Sequence, residues 1–262
     1  MSARPANVHH RETVMGTVVT IDLYRAAGVD PDEVLAPLRA ALAVLHRADR
    51  IFSTYHYESP VSRLRRGEIA LGEAPPEVTE VLAACRVARE LSGGLFDPWA
   101  MPGGVDPTGY VKGWAAQRAL DELRGADLDG VMVNAAGDIA AFGGPSPDQG
   151  FRVGVVRPDS PMELACVVDL ASAVATSGTY ERGEHLVNPR TGAAATAVAS
   201  ATVTGPDLGL ADALATALAV GGGEVLARVD ALEGYEGFTI GHDGERHATA
   251  RFPFAHSVAA GA

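Results

Sequence analysis

The order of residue patterns predicts an α+β fold: a single domain with a mixed, largely antiparallel sheet and packed helices. Three observations carry this. Segments with helical periodicity are interspersed with short apolar strands, and several strands lie too close together in sequence for a crossover helix, so they must pair as hairpins. No repeating strand–helix–strand units of the kind a doubly wound sheet needs are present. The 262 residues are 47% hydrophobic and 21% charged, enough apolar surface for a real core. No linker, charge block or internal repeat divides them, so one domain over 1–262 is expected.

Taken in order, Glu12 to Arg25 reads as an opening strand, with Val18, Val19, Thr20, Ile21 and Leu23 as its apolar and β-branched body and Gly16 as a point of close approach. Asp30-Pro31-Asp32-Glu33 supplies an N-cap, a first-turn proline and an acid, and Val34, Leu38, Leu42 and Leu45 follow at helical spacing. Ser59-Pro60 caps a short basic helix carrying Arg63, Arg65 and Arg66. Pro75-Pro76 opens a longer helix through Val78, Val81, Leu82, Cys85 and Ala88, closed near Gly93-Gly94. Gly93 to Gly113 reads as irregular backbone, and a third helix is expected from about Gly113 to Leu123.

Strands are expected at Gly130 to Asn134, Ile139 to Phe142, Phe151 to Val156, Ala165 to Leu170, Ala173 to Ala175 and Ala201 to Thr204. Helices are expected at Leu210 to Val220 and Glu224 to Leu232, and Asp243-Gly244 marks a late hairpin turn.

Composition also excludes. A net charge of −12 repels a polyphosphate backbone, which argues against nucleic acid as a partner. No apolar run approaches the roughly 18 residues of a membrane span, the longest candidate being broken by Asp212. The first residues show no basic stretch followed by an apolar segment and no lipidation cysteine, so neither leader nor membrane anchor is expected and a cytoplasmic address is. Cys85 and Cys166 lie far apart on apolar stripes and read as small buried hydrophobes. Phosphate-loop, dinucleotide and nucleophile-elbow motifs are all missing.

Four polar constellations remain. In Asp106-Pro107-Thr108-Gly109-Tyr110-Val111-Lys112-Gly113 a lysine stands immediately ahead of an expected helix, where it either is solvated or faces an anion such as phosphate. Asp212 and Thr216 share a helix face opposite Leu210, Leu214 and Leu218. Their oxygens suit Mg²⁺, and they equally suit an acidic first turn with a threonine bonded to a carbonyl one turn back. His185, in the polar run from Thr176 to Gly192, is either a neutral-pH base or structural. Asn134-Ala135-Ala136-Gly137-Asp138 brings small residues and a carboxylate to a strand end.

In this order the chain resembles the FAD:protein FMN transferases, the ApbE-type flavin transferase family. The resemblance runs through Met15-Gly16-Thr17, Ser53-Thr54-Tyr55 with Ser59, Gly94-Leu95-Phe96-Asp97-Pro98, Asp106 to Gly113, Asn134 to Asp138, Thr176-Ser177-Gly178, His185 to Gly192, and Ala211 to Thr216. It implies an ApbE-like fold and a Mg²⁺-dependent enzyme that moves FMN from FAD to a Thr or Ser hydroxyl of a target flavoprotein, releasing AMP. Met15, Tyr55, Leu95, Phe96, Asp97, Asp106, Lys112 and Val187 are the implied FAD contacts. Gly109, through its carbonyl, with Asp212 and Thr216 is the implied metal site, and His185 the implied catalytic residue.

The departures are specific. Only eight residues, Pro98 to Val105, separate Asp97 from Asp106, where the family has a longer insertion. Ala136 stands for a usual glycine and Asn188 for a usual aspartate. Alternative outcomes are an FAD pyrophosphatase giving FMN and AMP, or a non-catalytic FAD-binding protein.

Overall fold

The computed structural model describes residues 7–178, 186–194 and 197–255. The first strands, β1 (Asn7–Val14) and β2 (Thr17–Arg25), form a hairpin in register Val14 to Thr17. The single opening strand expected there is therefore two. Met15 and Gly16 are its two turn residues, with φ of 54° and 67°, the signs a type I′ turn demands. A Cβ on Gly16 would meet open space, so the glycine is there for its φ and not for close approach.

Asp30 caps a 3₁₀ turn, Pro31–Val34, that leads into α1 (Leu35–Phe52). The basic helix α2 (Pro60–Arg65) starts as expected on Ser59, whose hydroxyl accepts the Ser62 N–H, and α3 runs Pro76–Leu91. Helix α4 (Thr108–Leu123) begins well before Gly113. Asp106 is the cause: its carboxylate accepts both the N–H and the hydroxyl of Thr108 and so holds the first turn. Gly109 and Gly113 look like breakers in the sequence and are helical residues here.

The sheet continues with β3 (Leu128–Ala135), β4 (Asp138–Gly143), β5 (Phe151–Arg157), β6 (Ser160–Leu170), β7 (Ala173–Gly178) and β8 (Ser200–Gly205). After α5 (Leu208–Gly221) and α6 (Gly223–Asp230), β9 (Glu236–Ile240) and β10 (Arg246–Ala248) close it around the expected Asp243-Gly244 turn. Eight strands make one sheet in the order β1-β2-β3-β4-β7-β8-β9-β10, and β5 and β6 form a separate ribbon. Every described ladder is antiparallel, in keeping with the largely antiparallel sheet expected.

On one face α5 packs against β7 and β8, with α4 beside it and α1 beyond α4. The main core fills this layer, from Ile21 and Leu23 on β2 through Leu45, Phe52, Leu120 and Leu123 to Leu208, Leu214 and Leu218. On the other face Ile139, Val174, Phe151 and Leu170 join the sheet to the β5–β6 ribbon. Helix α5 is buried nearly all round, as a helix inside a layered core must be. Asp212 and Thr216 share the helix face expected of them, opposite Leu210, Leu214 and Leu218, but that face too is covered, by α4 and the strands. Among the described residues no helix is long and apolar enough to cross a membrane.

Both cysteines are free thiols; Cys85 is buried, and burial alone pushes its pKa up to about 12.

Candidate functional site

One end of the sheet gathers the polar residues. The register pairs Val19 with Ala135, which places the Met15-Gly16 turn beside the β3–β4 turn, Ala136-Gly137. Met15 and Ala136 are the only two described non-glycine residues with positive φ, 54° and 53°. Holding an L-residue there costs about 1–2 kcal/mol each. The second turn is fixed by Asn134, whose Oδ1 accepts the Gly137 N–H at 2.8 Å.

Asp138 opens β4 directly after that turn and is 2% exposed. Its Oδ1 accepts the Thr176 N–H from β7 at 3.1 Å, and its Oδ2 is paired with the Lys112 ammonium. The Lys112 Nζ also lies 3.5 Å from Asp212 Oδ2 on α5. Two buried carboxylates thus face one ammonium in a poorly solvated place. Lys112 is the fifth residue of α4 and not a residue ahead of it, and the anions it meets are carboxylates of this chain.

Two glycines make the cluster possible. A Cβ on Gly113 would lie 2.5 Å from the Leu208 carbonyl oxygen, and one on Gly209 2.9 Å from the Tyr110 ring. Without side chains at these points α4 and α5 cross in backbone contact. Asp212 then reaches the α4 main chain itself, its Oδ2 accepting the Gly113 N–H at 3.2 Å. In an α-helix that N–H points back to the carbonyl four residues earlier, which is Gly109. One turn along α5 from Asp212, the Thr216 hydroxyl lies 3.4 Å from Ser177 Oγ on β7.

The implied residues divide into those brought together and those not. Lys112 and Asp212 meet at the α4–α5 crossing, with Gly109 one turn before Gly113 on α4 and Thr216 one turn beyond Asp212 on α5. Phe96 joins them, its ring 3.3 Å from where a Gly109 Cβ would stand, while Leu95 packs against Gly221. Both are core residues, 5% and 3% exposed. Asp106 is committed to Thr108 and to Arg65, whose Nη1 donates at 3.2 Å. Asp97 accepts the Trp99 N–H and a 2.6 Å contact from Arg89. Met15 stands half-buried in its turn, and Val187 bridges to Ala194 in a small loop. That loop is clasped by Arg190, bonded to Glu224 and to the Gly93 carbonyl. Tyr55 is 98% exposed and meets none of the others. His185 lies outside the described residues. A hollow of 420 Å³ lined by Asp148, Phe151, Arg152 and Asp169 is on the β5–β6 ribbon, apart from all of these.

In the sequence Asp138 stands at a strand end with nothing to mark its role, and neither Ser177 nor Gly113 stands out as a site residue. One signal was available: the chain has a single lysine among its 21 basic residues, and it is Lys112. An arginine fork spreads over two carboxylates, whereas a compact ammonium fits between them.

These features define a class: an antiparallel sheet, one helix buried against it, and an ion cluster where that helix crosses a second at glycine. The sequence profile of the ApbE family matches residues 15–103 and 100–238, and the chain belongs to that family. The FAD:protein FMN transferase of Rhodobacter capsulatus is 28% identical over 210 residues, covering 74% of this chain and 38% of that protein. The chain thus spans well under half of that relative's length. Among solved structures, the ApbE protein of Thermotoga maritima superposes with a TM-score of 0.82 at 23% identity, over 94% of this chain and 98% of that one. The flavin transferase ApbE of Vibrio cholerae gives 0.80 at 20%, with the same coverage. The Pseudomonas stutzeri flavinyl transferase ApbE gives 0.79 at 23%, over 95% and 96%.

Proposed function

We propose that this chain, acting as one ApbE-like unit, is a Mg²⁺-dependent FAD:protein FMN transferase. The acceptor oxygen, a Thr or Ser hydroxyl of a target flavoprotein, bonds to the FMN phosphorus. The bond from that phosphorus to the bridging oxygen breaks, and AMP leaves. The observation that carries the reading is the buried Lys112–Asp138–Asp212 cluster at the α4–α5 crossing, in a chain of this family.

The donor set suits Mg²⁺. Asp212 offers a buried carboxylate, Thr216 a hydroxyl one turn on, and Gly109 a carbonyl aimed at the N–H that Asp212 already meets. All are hard oxygens, and Mg²⁺ needs only one or two carboxylates because water and substrate phosphates complete its shell. Among the described residues no group of three His, Cys, Asp or Glu offers another metal site. When bound, Mg²⁺ supplies charge neutralisation to the pyrophosphate.

The chain's own residues do the rest. Lys112 presents its ammonium to the negative charge that grows on the pyrophosphate as the bond breaks. Met15, Tyr55, Leu95, Phe96, Asp97, Asp106 and Val187 hold FAD, and His185 takes the proton from the acceptor hydroxyl.

The test is incubation with FAD and MgCl₂, with and without an acceptor peptide carrying a threonine. An acceptor heavier by one FMN, with AMP released, supports transfer. AMP release without acceptor replaces it by FAD hydrolysis, and binding with neither product replaces it by a carrier. The single lysine adds a direct probe: FAD with Mg²⁺ should protect Lys112 from an amine-acylating reagent, read by peptide mass.

A further inference from the structure

The proposed reaction uses Lys112 and Asp212 and gives Asp138 no part, yet Asp138 is the more deeply buried of the two carboxylates, 2% exposed against 4%. A buried acid left beside another acid is costly unless it holds something. What it holds is the ammonium of the chain's one lysine.

We propose that Asp138 is a positioning residue for the divalent cation: it keeps Lys112 on the β4 side of the cluster and so leaves Asp212 to the metal. This deepens the reading that Asp212 ligates Mg²⁺ and rests on it. The lysine leaves α4 between two carboxylates and is bonded to one while 3.5 Å from the other. Asp138 is the better-fixed partner. Strand register sets it opposite Ala135 across a two-residue turn, and the Thr176 N–H from the neighbouring strand holds its other oxygen. An ammonium and a divalent cation compete for the same carboxylate, since both are hard cations drawn to charged oxygen. Were Asp138 unable to pair, the nearest buried carboxylate would be Asp212. Lys112 would then neutralise the oxygen that the metal needs.

The experiment is a Mg²⁺ titration by calorimetry, with MgCl₂ alone and the full chain, on a double-mutant cycle. Asp138→Asn should weaken Mg²⁺ about tenfold, the scale of a charge-assisted contact won by the lysine instead of the metal. In a Lys112→Met background the same substitution should change affinity less than about twofold, because Asp138 acts through Lys112. Equal weakening in both backgrounds means that Asp138 acts as a bare charge or a ligand and overturns the proposal, as does unchanged affinity in Asp138→Asn. Should Asp138→Asn not fold, the double variant decides, since it removes one charge of each sign. Binding within about threefold of wild type supports the role, and a tenfold loss overturns it. Asp212→Asn is the separate control. If Mg²⁺ binding survives that change, the metal reading itself fails and the positioning role falls with it.

Discussion

Gly113→Ala tests the helix crossing on which the site depends, and it does so through the sign of an effect. In an isolated helix, alanine for glycine is stabilising by about 1 kcal/mol. At this position the added Cβ would stand 2.5 Å from the Leu208 carbonyl oxygen, 2.9 Å from its carbon and 3.0 Å from the Gly209 Cα. All three are backbone atoms at the start of α5 and cannot swing aside. Contact becomes ordinary only at 3.4 Å, so the two helices must part by nearly 1 Å. That movement also draws Asp212 Oδ2 away from the Gly113 N–H, which it meets at 3.2 Å. Overpacking costs about 1–3 kcal/mol and a lost bond to a charged acceptor about 1.5–3 kcal/mol. Set against the propensity gain, the variant should lose about 1.5–5 kcal/mol of unfolding free energy. Urea denaturation followed by circular dichroism measures this, with the slope checked for constancy. A variant as stable as the wild type would show that α4 and α5 do not touch where the structure has them touch.

Further predictions concern charge, turn and thiol. Lys112→Arg keeps the charge, yet AMP release should fall at least about tenfold, since the fork spans both carboxylates at once; a wild-type rate would remove the case for a compact ammonium. Ala136→Gly should raise the melting temperature, by relief of about 1 kcal/mol of left-handed strain, and no rise would mean the turn is not strained. Arg47 holds the Glu77 carboxyl below its ordinary value of 4.5 by a hydrogen bond between α1 and α3. A lowered folded pKa stabilises above the unfolded value and is lost as pH falls through the folded one. Glu77→Gln should therefore be less stable than wild type at neutral pH, by under about 1 kcal/mol for so exposed a partner, and the gap should close below pH 4.5. A gap that persists in acid would point to packing instead. In the native protein a thiol reagent should modify Cys166 before the fully buried Cys85, the order being read by peptide mass.

The sequence was most legible where one local rule acts alone. Asp30, Ser59 and Pro76 announced their helices because capping and proline geometry need only a few neighbouring residues. It misled where one residue type serves two purposes. Gly16 reads in the sequence as close approach and is a turn, while Gly113 reads as the edge of a helix and is the contact between two. Both are glycines, and only the neighbour in space separates the need for positive φ from the need for room.

The chain by itself determined the α+β class, the strands and helices in their order, the resemblance to the ApbE family and the place of Lys112 and Asp212 within its motifs. Those rest on local patterning, and patterning is carried by residues close in sequence. Tertiary structure alone decided that Lys112 and Asp212 meet, 3.5 Å apart across 100 residues, and that Asp138 stands as the lysine's first partner. Such a meeting depends on strand register and on how closely two helices can approach, and both are set by the packing of the whole core.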